Sequence, residues 1–120
     1  MNMLYFYQAT SSFTGVGEGF GNIYIAHADG RLSAIDGLNS RDVWQLDAFT
    51  YRELTTPVTV GNHVAVGDFE GYVHLVAQSD GRLTGRRRVD RSGLRSRFLS
   101  EDNMLYIQGS SGRLTALTVE

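Results

Sequence analysis

Three stretches of this chain match one another at a fixed interval, and that interval limits the folds available to it. Gly30-Arg31-Leu32-Ser33-Ala34-Ile35, Gly71-Tyr72-Val73-His74-Leu75-Val76 and Gly112-Arg113-Leu114-Thr115-Ala116-Leu117 share one template and stand 41 residues apart. Gly21-Asn22, Gly61-Asn62 and Asp102-Asn103 lie roughly nine residues ahead of each and open a second apolar run. A period of about 40 to 45 residues holding several short strands is the signature of propeller blades. A single blade cannot bury both of its faces, so the repeat implies blade packed on blade.

The runs between turn signals divide each unit into strands A to D, from the inner to the outer edge. In the first unit A is expected near Phe13–Gly19, B at Asn22–His27, C at Arg31–Ile35 and D at Val43–Leu46. The second has A near Thr56–Val60, B at His63–Asp68, C at Tyr72–Ala77 and D near Leu83–Val89. The third has A near Ser96–Ser100, B at Met104–Gln108 and C at Leu114–Val119, with no D strand after it. Asp29-Gly30, Glu70-Gly71 and Ser111-Gly112 join B to C, where glycine supplies the positive φ of a tight hairpin. Met3-Leu4-Tyr5-Phe6-Tyr7 falls on Val43 onward when residues 3–22 are slid by 40 without a gap. The expectation is an all-β propeller fragment of three four-stranded antiparallel blades, forming one partial domain. Its repeats are 13–47, 54–89 and 95–120, plus an N-terminal strand 3–8 that completes the last blade.

Composition agrees with strands and tight turns. Fourteen glycines stand against one proline, and no amphipathic helical period is long enough to assign. With no cysteine, disulfides, thiolate metal sites and a cysteine nucleophile are excluded. Residues 1–8 lack the basic start and apolar length of a signal peptide, and no helical span of membrane length is present. The net charge of −2 divides unevenly: residues 1–80 hold nine acids and three arginines, residues 81–120 eight arginines and four acids. All eleven basic residues are arginine. The dense run of Arg82, Arg86, Arg87, Arg88, Arg91, Arg95 and Arg97 is a formal candidate for phosphate binding. No aromatic residue interleaves it as a stacking platform requires, so a solvated outer strand with its neighbouring loop is the reading adopted, without nucleic acid.

Val66-Gly67-Asp68-Phe69-Glu70-Gly71-Tyr72-Val73-His74, followed by Ser79-Asp80-Gly81-Arg82, resembles the last full repeat of the BamB family. These are outer-membrane protein assembly lipoproteins built as eight-bladed propellers of the pyrroloquinoline-quinone-like repeat class. Ala34-Ile35-Asp36 with Val43-Trp44 is similar to the repeat's element in which a tryptophan docks between blades. Leu54-Thr55-Thr56-Pro57-Val58 resembles the family's entry into an A strand. The resemblance runs from about Ser12 to Glu120 and matches three blades, the last three of eight. It implies a non-catalytic interaction scaffold whose parent contacts BamA and unfolded outer-membrane proteins on the periplasmic side of the outer membrane. The family's lipobox cysteine and a signal peptide are absent, so this chain is expected to be soluble, without direct membrane insertion; Leu4 stands at the position equivalent to Trp44.

Quinone-dependent dehydrogenases share the repeat class and supply the alternative, an enzyme fragment; a further alternative is an incomplete propeller with no independent function. The quinone assembly needs a complete ring and an acidic metal site, so no enzyme activity, cofactor or metal is expected, and no catalytic, cofactor-binding or metal-ligating residue is assigned. His27, His63 and His74 share no spacing that would gather them on one ion. Asp68, Glu70 and Asp80 read as turn acids rather than an oxygen cage for calcium. Gly15, Gly17, Gly19 and Gly21 imitate a phosphate loop, but no helix follows to supply amides; they read as an inner strand crowded near the axis. Ser92, Ser110 and Ser111 have no base in pattern, and Trp44 is expected to be buried between blades. A lone arc would leave strand C of the third unit with an open edge. The chain is therefore expected to associate with itself head to tail, Met3–Tyr7 entering another copy, as a dimer in preference to a trimer.

Overall fold

The computed structural model describes residues 13–119. The expected fourth strand of the last blade, Met3–Tyr7, and Leu4 within it lie outside the described residues. Eleven strands are present and no helix among the described residues. They are β1 (Phe13–Gly19), β2 (Asn22–His27), β3 (Leu32–Asp36), β4 (Asp42–Leu46), β5 (Val58–Val60) and β6 (His63–Gly67). The rest are β7 (Tyr72–Ala77), β8 (Leu83–Arg88), β9 (Leu99–Glu101), β10 (Met104–Gln108) and β11 (Leu114–Thr118).

The strands form three antiparallel sheets in sequence order, β1-β2-β3-β4, β5-β6-β7-β8 and β9-β10-β11. The inner strands β1, β5 and β9 lie side by side, as they do around a propeller axis. Gly30, Gly71 and Gly112 turn the B–C hairpins at φ of 95°, 93° and 94°. Such values belong to glycine because it has no Cβ to collide with the backbone. Ala34/Ile35 and Leu75/Val76 mark β-bulges in the C–D pairing, again 41 residues apart. A bulge bends and twists the strand that carries it, so the repeated bulge gives both outer strands the same curl.

Burial follows position in the blade. The middle strands β2, β3, β6 and β7 are buried along most of their length, and the second sheet is flanked by the first on one face and the third on the other. One core holds Tyr24, Leu32, Phe49, Leu54, Val64 and Val76 between the first and second sheets. A second holds Val60, Val73, Leu94, Phe98, Leu105 and Ile107 between the second and third. The outer β8 is exposed throughout. The third sheet breaks the pattern. Leu32, Val73 and Leu114 hold one repeat position and are 0%, 2% and 72% exposed.

The glycines of β1 are explained by close approach. A Cβ on Gly17 would run into the Pro57 carbonyl, and one on Gly15 into the Thr56 side chain. The phosphate-loop pattern is thus an inner strand pressed against the entry to β5.

Candidate functional site

The most concentrated chemistry lies at the β6–β7 hairpin. Asp68 follows the last residue of β6 and is fully buried. Its Oδ1 accepts from the Glu70 and Tyr72 amides at 2.9 and 3.0 Å, which braces the turn around Gly71. Its Oδ2 faces His74 Nε2 at 2.7 Å and Arg52 Nη1 at 3.0 Å. Arg52 also reaches Glu70 at 3.1 Å. Burial alone would raise the Asp68 pKa; the bonds from His74, Tyr72 and Arg52 outweigh it and hold it below the usual carboxylate value. Burial depresses the pKa of His74, with Arg52 and Arg86 adding to the effect and Asp68 opposing it. Neutral His74 therefore donates from Nε2 to an ionised Asp68.

The same link recurs one blade earlier with different side chains. His27 ends β2 at the position equivalent to Asp68, and its Nε2 lies 3.0 Å from Ser33 Oγ at the position equivalent to His74. Burial is the main cause that lowers the pKa of His27. In the third blade that position is Gly109, and the space is filled from the preceding blade. The Asp90 carboxylate stands where a Gly109 Cβ would be and accepts from the hydroxyl and amide of Ser111. Asp90 itself is held below the usual carboxylate range, first by the Ser111 hydroxyl and then by the Ser92 amide. Each device ties strand B to strand C or blade to blade, with buried polar atoms paired as burial requires.

A second polar clamp joins the first two blades. Trp44 Nε1 donates to the Gln78 carbonyl at 2.8 Å, and its ring lies where a Cβ on Gly81 would be. Gln78 Nε2 donates to the Gly61 and His63 carbonyls at 2.9 and 3.2 Å. The Tyr24 hydroxyl sits 3.0 Å from Gln78 Oε1, and desolvation raises its pKa. Trp44 does dock between blades as expected, but it is half-buried rather than buried. The reason is its place on the outermost strand, where only one side of the ring meets another sheet.

The three histidines stay apart. His27 bonds Ser33, His74 bonds Asp68, and His63 opens β6 half-exposed. Among the described residues no three histidine or acidic side chains are grouped to hold a metal ion. Asp80 braces its own turn through the Arg82 amide at 3.0 Å, and Ser111 is spent on Asp90. The arginine run occupies the turn before β8, β8 itself and the loop after it. There Arg86 and Arg88 lie 4.7 and 5.3 Å from the Tyr72 ring centre. Arg52 and Gln78 are central to these contacts and no sequence pattern singles them out, while Tyr72 stands in the repeat template with nothing there to mark it as the seat of the arginines. The paired spacing His27–Ser33 and Asp68–His74 was the one available signal.

No family model matches the chain. It is 45% identical over 109 residues to the outer membrane protein assembly factor BamB of Pseudomonas aeruginosa, covering 91% of this chain and 29% of that protein. The BamB crystal structure from Moraxella catarrhalis superimposes with a TM-score of 0.79 at 27% identity, over 86% of this chain and 30% of that one. A quinohemoprotein alcohol dehydrogenase from Pseudomonas putida gives a TM-score of 0.77 at 12% identity, over 99% and 21%; that likeness is one of fold alone. The chain spans less than a third of the length of the BamB proteins it matches.

Proposed function

We propose that this chain, BamB-like in sequence and a propeller segment in fold, serves as a non-catalytic interaction scaffold in outer-membrane β-barrel assembly. What carries the reading is the kinship itself: 45% identity over 91% of the chain to a protein named for assembly, against 12% for the dehydrogenase. The geometry supports it. Asp68, His74, Arg52 and Asp90 have their polar atoms directed at neighbouring turns and blades, the work of a rigid framework. The partners that follow are BamA and unfolded outer-membrane proteins, met on the periplasmic face of the outer membrane. Immobilised chain should capture the purified periplasmic part of BamA saturably. No capture by a folded chain, or a quinone retained with its absorbance after dialysis, would overturn the scaffold reading in favour of the enzyme one.

We also infer that repeats 13–47, 54–89 and 95–120 act as one unit that a neighbour must complete. The specific observation is the contrast between Leu32, Val73 and Leu114, equivalent residues exposed by 0%, 2% and 72%. In the 120-residue chain the neighbour is a second copy, with Met3–Tyr7 as the fourth strand beside β11 and a dimer favoured over a trimer. Light scattering should give twice the chain mass, and deletion of residues 1–8 should return it to one. A well-folded monomer at tens of micromolar refutes the association.

A further inference from the structure

We propose that the outer edge of β8 is a docking strand for an extended acidic peptide, with a notch at Gly85 that receives an apolar side chain. In the ordering β5-β6-β7-β8 the far side of β8 meets no other strand among the described residues, and all six of its residues are exposed. Two clefts open on either side of it. The first, of about 400 Å³, lies toward the first blade and is lined by Phe49, His74, Leu83, Arg52 and Arg86. The second, of about 220 Å³, lies toward the third blade over Val73, Leu75, Leu105 and Leu117. Gly85 and Arg86 line both, and a Cβ on Gly85 would meet nothing within 4 Å.

Pairing geometry fixes what each cleft would receive. Residues directly opposite each other on adjacent strands point to the same face. Gly85 pairs with Leu75, so a residue opposite Gly85 projects over Leu75 and Leu117 into the second cleft. Arg86 pairs with His74, so the next residue projects into the first, beside Arg86 and Arg52. A large apolar side chain covering a strand glycine is a known stabilising pair. Charge selects the rest. Arg52, Arg86 and Arg88 lie 6.0, 4.7 and 5.3 Å from the one Tyr72 ring. Arg52 is paired with Asp68 and Glu70, and Arg88 donates to the Glu70 carbonyl. Arg86 and Arg87 have no carboxylate partner among the described residues. Three consecutive arginines keep a basic strand, including another β8, from this edge and attract an acidic one, so the same charges protect and select. Strand addition supplies backbone bonds and the two clefts supply specificity.

The inference rests on the scaffold reading in taking the ligand to be protein, and it uses only the rim between blades present in this chain. The probe is a fluorescein-labelled heptapeptide with a central phenylalanine flanked on each side by two glutamates and then a threonine. Fluorescence anisotropy should show saturable binding that weakens with salt, and a lysine-for-glutamate version should not bind. Arg86→Glu combined with Arg87→Glu should weaken binding about tenfold or more, as two attractive exposed pairs become repulsive. Gly85→Val fills the notch in open space, keeps the fold and should also weaken binding. Hydrogen exchange should slow at residues 83–88 and not at 114–118. Absence of binding, indifference to both variants, or protection at 114–118 instead overturns the assignment, and BamA capture would be unaffected by that failure. An oligothymidylate of equal charge binding more tightly than the peptide would overturn it in favour of nucleic acid.

Discussion

Asp68 offers a sharp test of how the second blade is held, because its replacements separate charge from hydrogen bonding. Alanine removes the acceptor of four bonds at a fully buried position, with partners at 2.7 to 3.0 Å. Removing one member of a buried ion pair costs about 3–5 kcal/mol. The Arg52 side chain is 28% exposed and keeps Glu70, so its share shrinks through solvent screening. The turn amides of Glu70 and Tyr72 and the His74 ring lose their acceptor, a loss of about 1 kcal/mol or more apiece where water cannot replace it. Asp68→Ala should therefore cost about 3–4 kcal/mol. Asparagine keeps Oδ1 for both amides and turns an N–H toward His74, whose neutral ring accepts it after a change of tautomer, while the partly exposed Arg52, itself only a donor, turns from position 68 to Glu70 and water. Asp68→Asn should cost only about 1 kcal/mol. Urea unfolding followed by Trp44 fluorescence gives both numbers. Equal losses for the two variants, or an alanine loss under about 1 kcal/mol, would refute the four-bond account.

Trp44→Ala should cost about 2 kcal/mol, below the roughly 3–5 kcal/mol of a fully buried tryptophan, because the ring is half-buried and loses one bond to Gln78; a calorimetric loss above about 4 kcal/mol would show a deeper setting. Gly17→Val should leave little folded protein, since the clash is with the Pro57 backbone carbonyl; circular dichroism indistinguishable from the parent would contradict it. Stability should fall in two stages on acidification. His27 and His74 are lowered from 6.5, so their contribution is complete above pH 6.5 and declines below it as the unfolded chain takes up protons. Asp68 and Asp90, lowered from 3.8, contribute fully above that pH and lose their share as pH drops further. Urea midpoints that rise between about pH 7 and 5 would contradict the first stage.

Strands flanked by glycine and asparagine turns were legible to the residue: Phe13–Gly19, Asn22–His27, Tyr72–Ala77 and Met104–Gln108 match their expected bounds. The inner strands of the later blades are shorter than expected. Strand β5 begins at Val58 rather than Thr56, because Thr55 is already committed to Gly67 through its amide and hydroxyl at 2.9 and 2.8 Å, and Pro57 has no N–H to give. Strand β9 begins at Leu99 rather than Ser96, after Leu94 and Phe98 have turned into the core. The candidate site was less legible. Tyr24 meets Gln78 across 54 residues and Trp44 meets Gln78 across 34, and no local pattern foretells a partner in another blade.

The three hairpins show where this repeat tolerates change. Position 27, 68 or 109 is histidine, aspartate or glycine, and each choice fixes its neighbour. Histidine takes Ser33, aspartate takes His74 and Arg52, and glycine admits Asp90 from the preceding blade. A change at one position alone would strand a buried polar group, and networks with one unpaired member are costly. The two outer strands differ in this respect. Strand β4 reads Asp42-Val43-Trp44-Gln45-Leu46 and docks its indole on the next blade, whereas β8 reads Leu83-Thr84-Gly85-Arg86-Arg87-Arg88 and faces solvent along its whole length. Within one template, the inner and middle strands and β4 answer to packing, and β8 is free to answer to a ligand. That freedom locates the arginine excess of residues 81–120 where a partner strand can reach it.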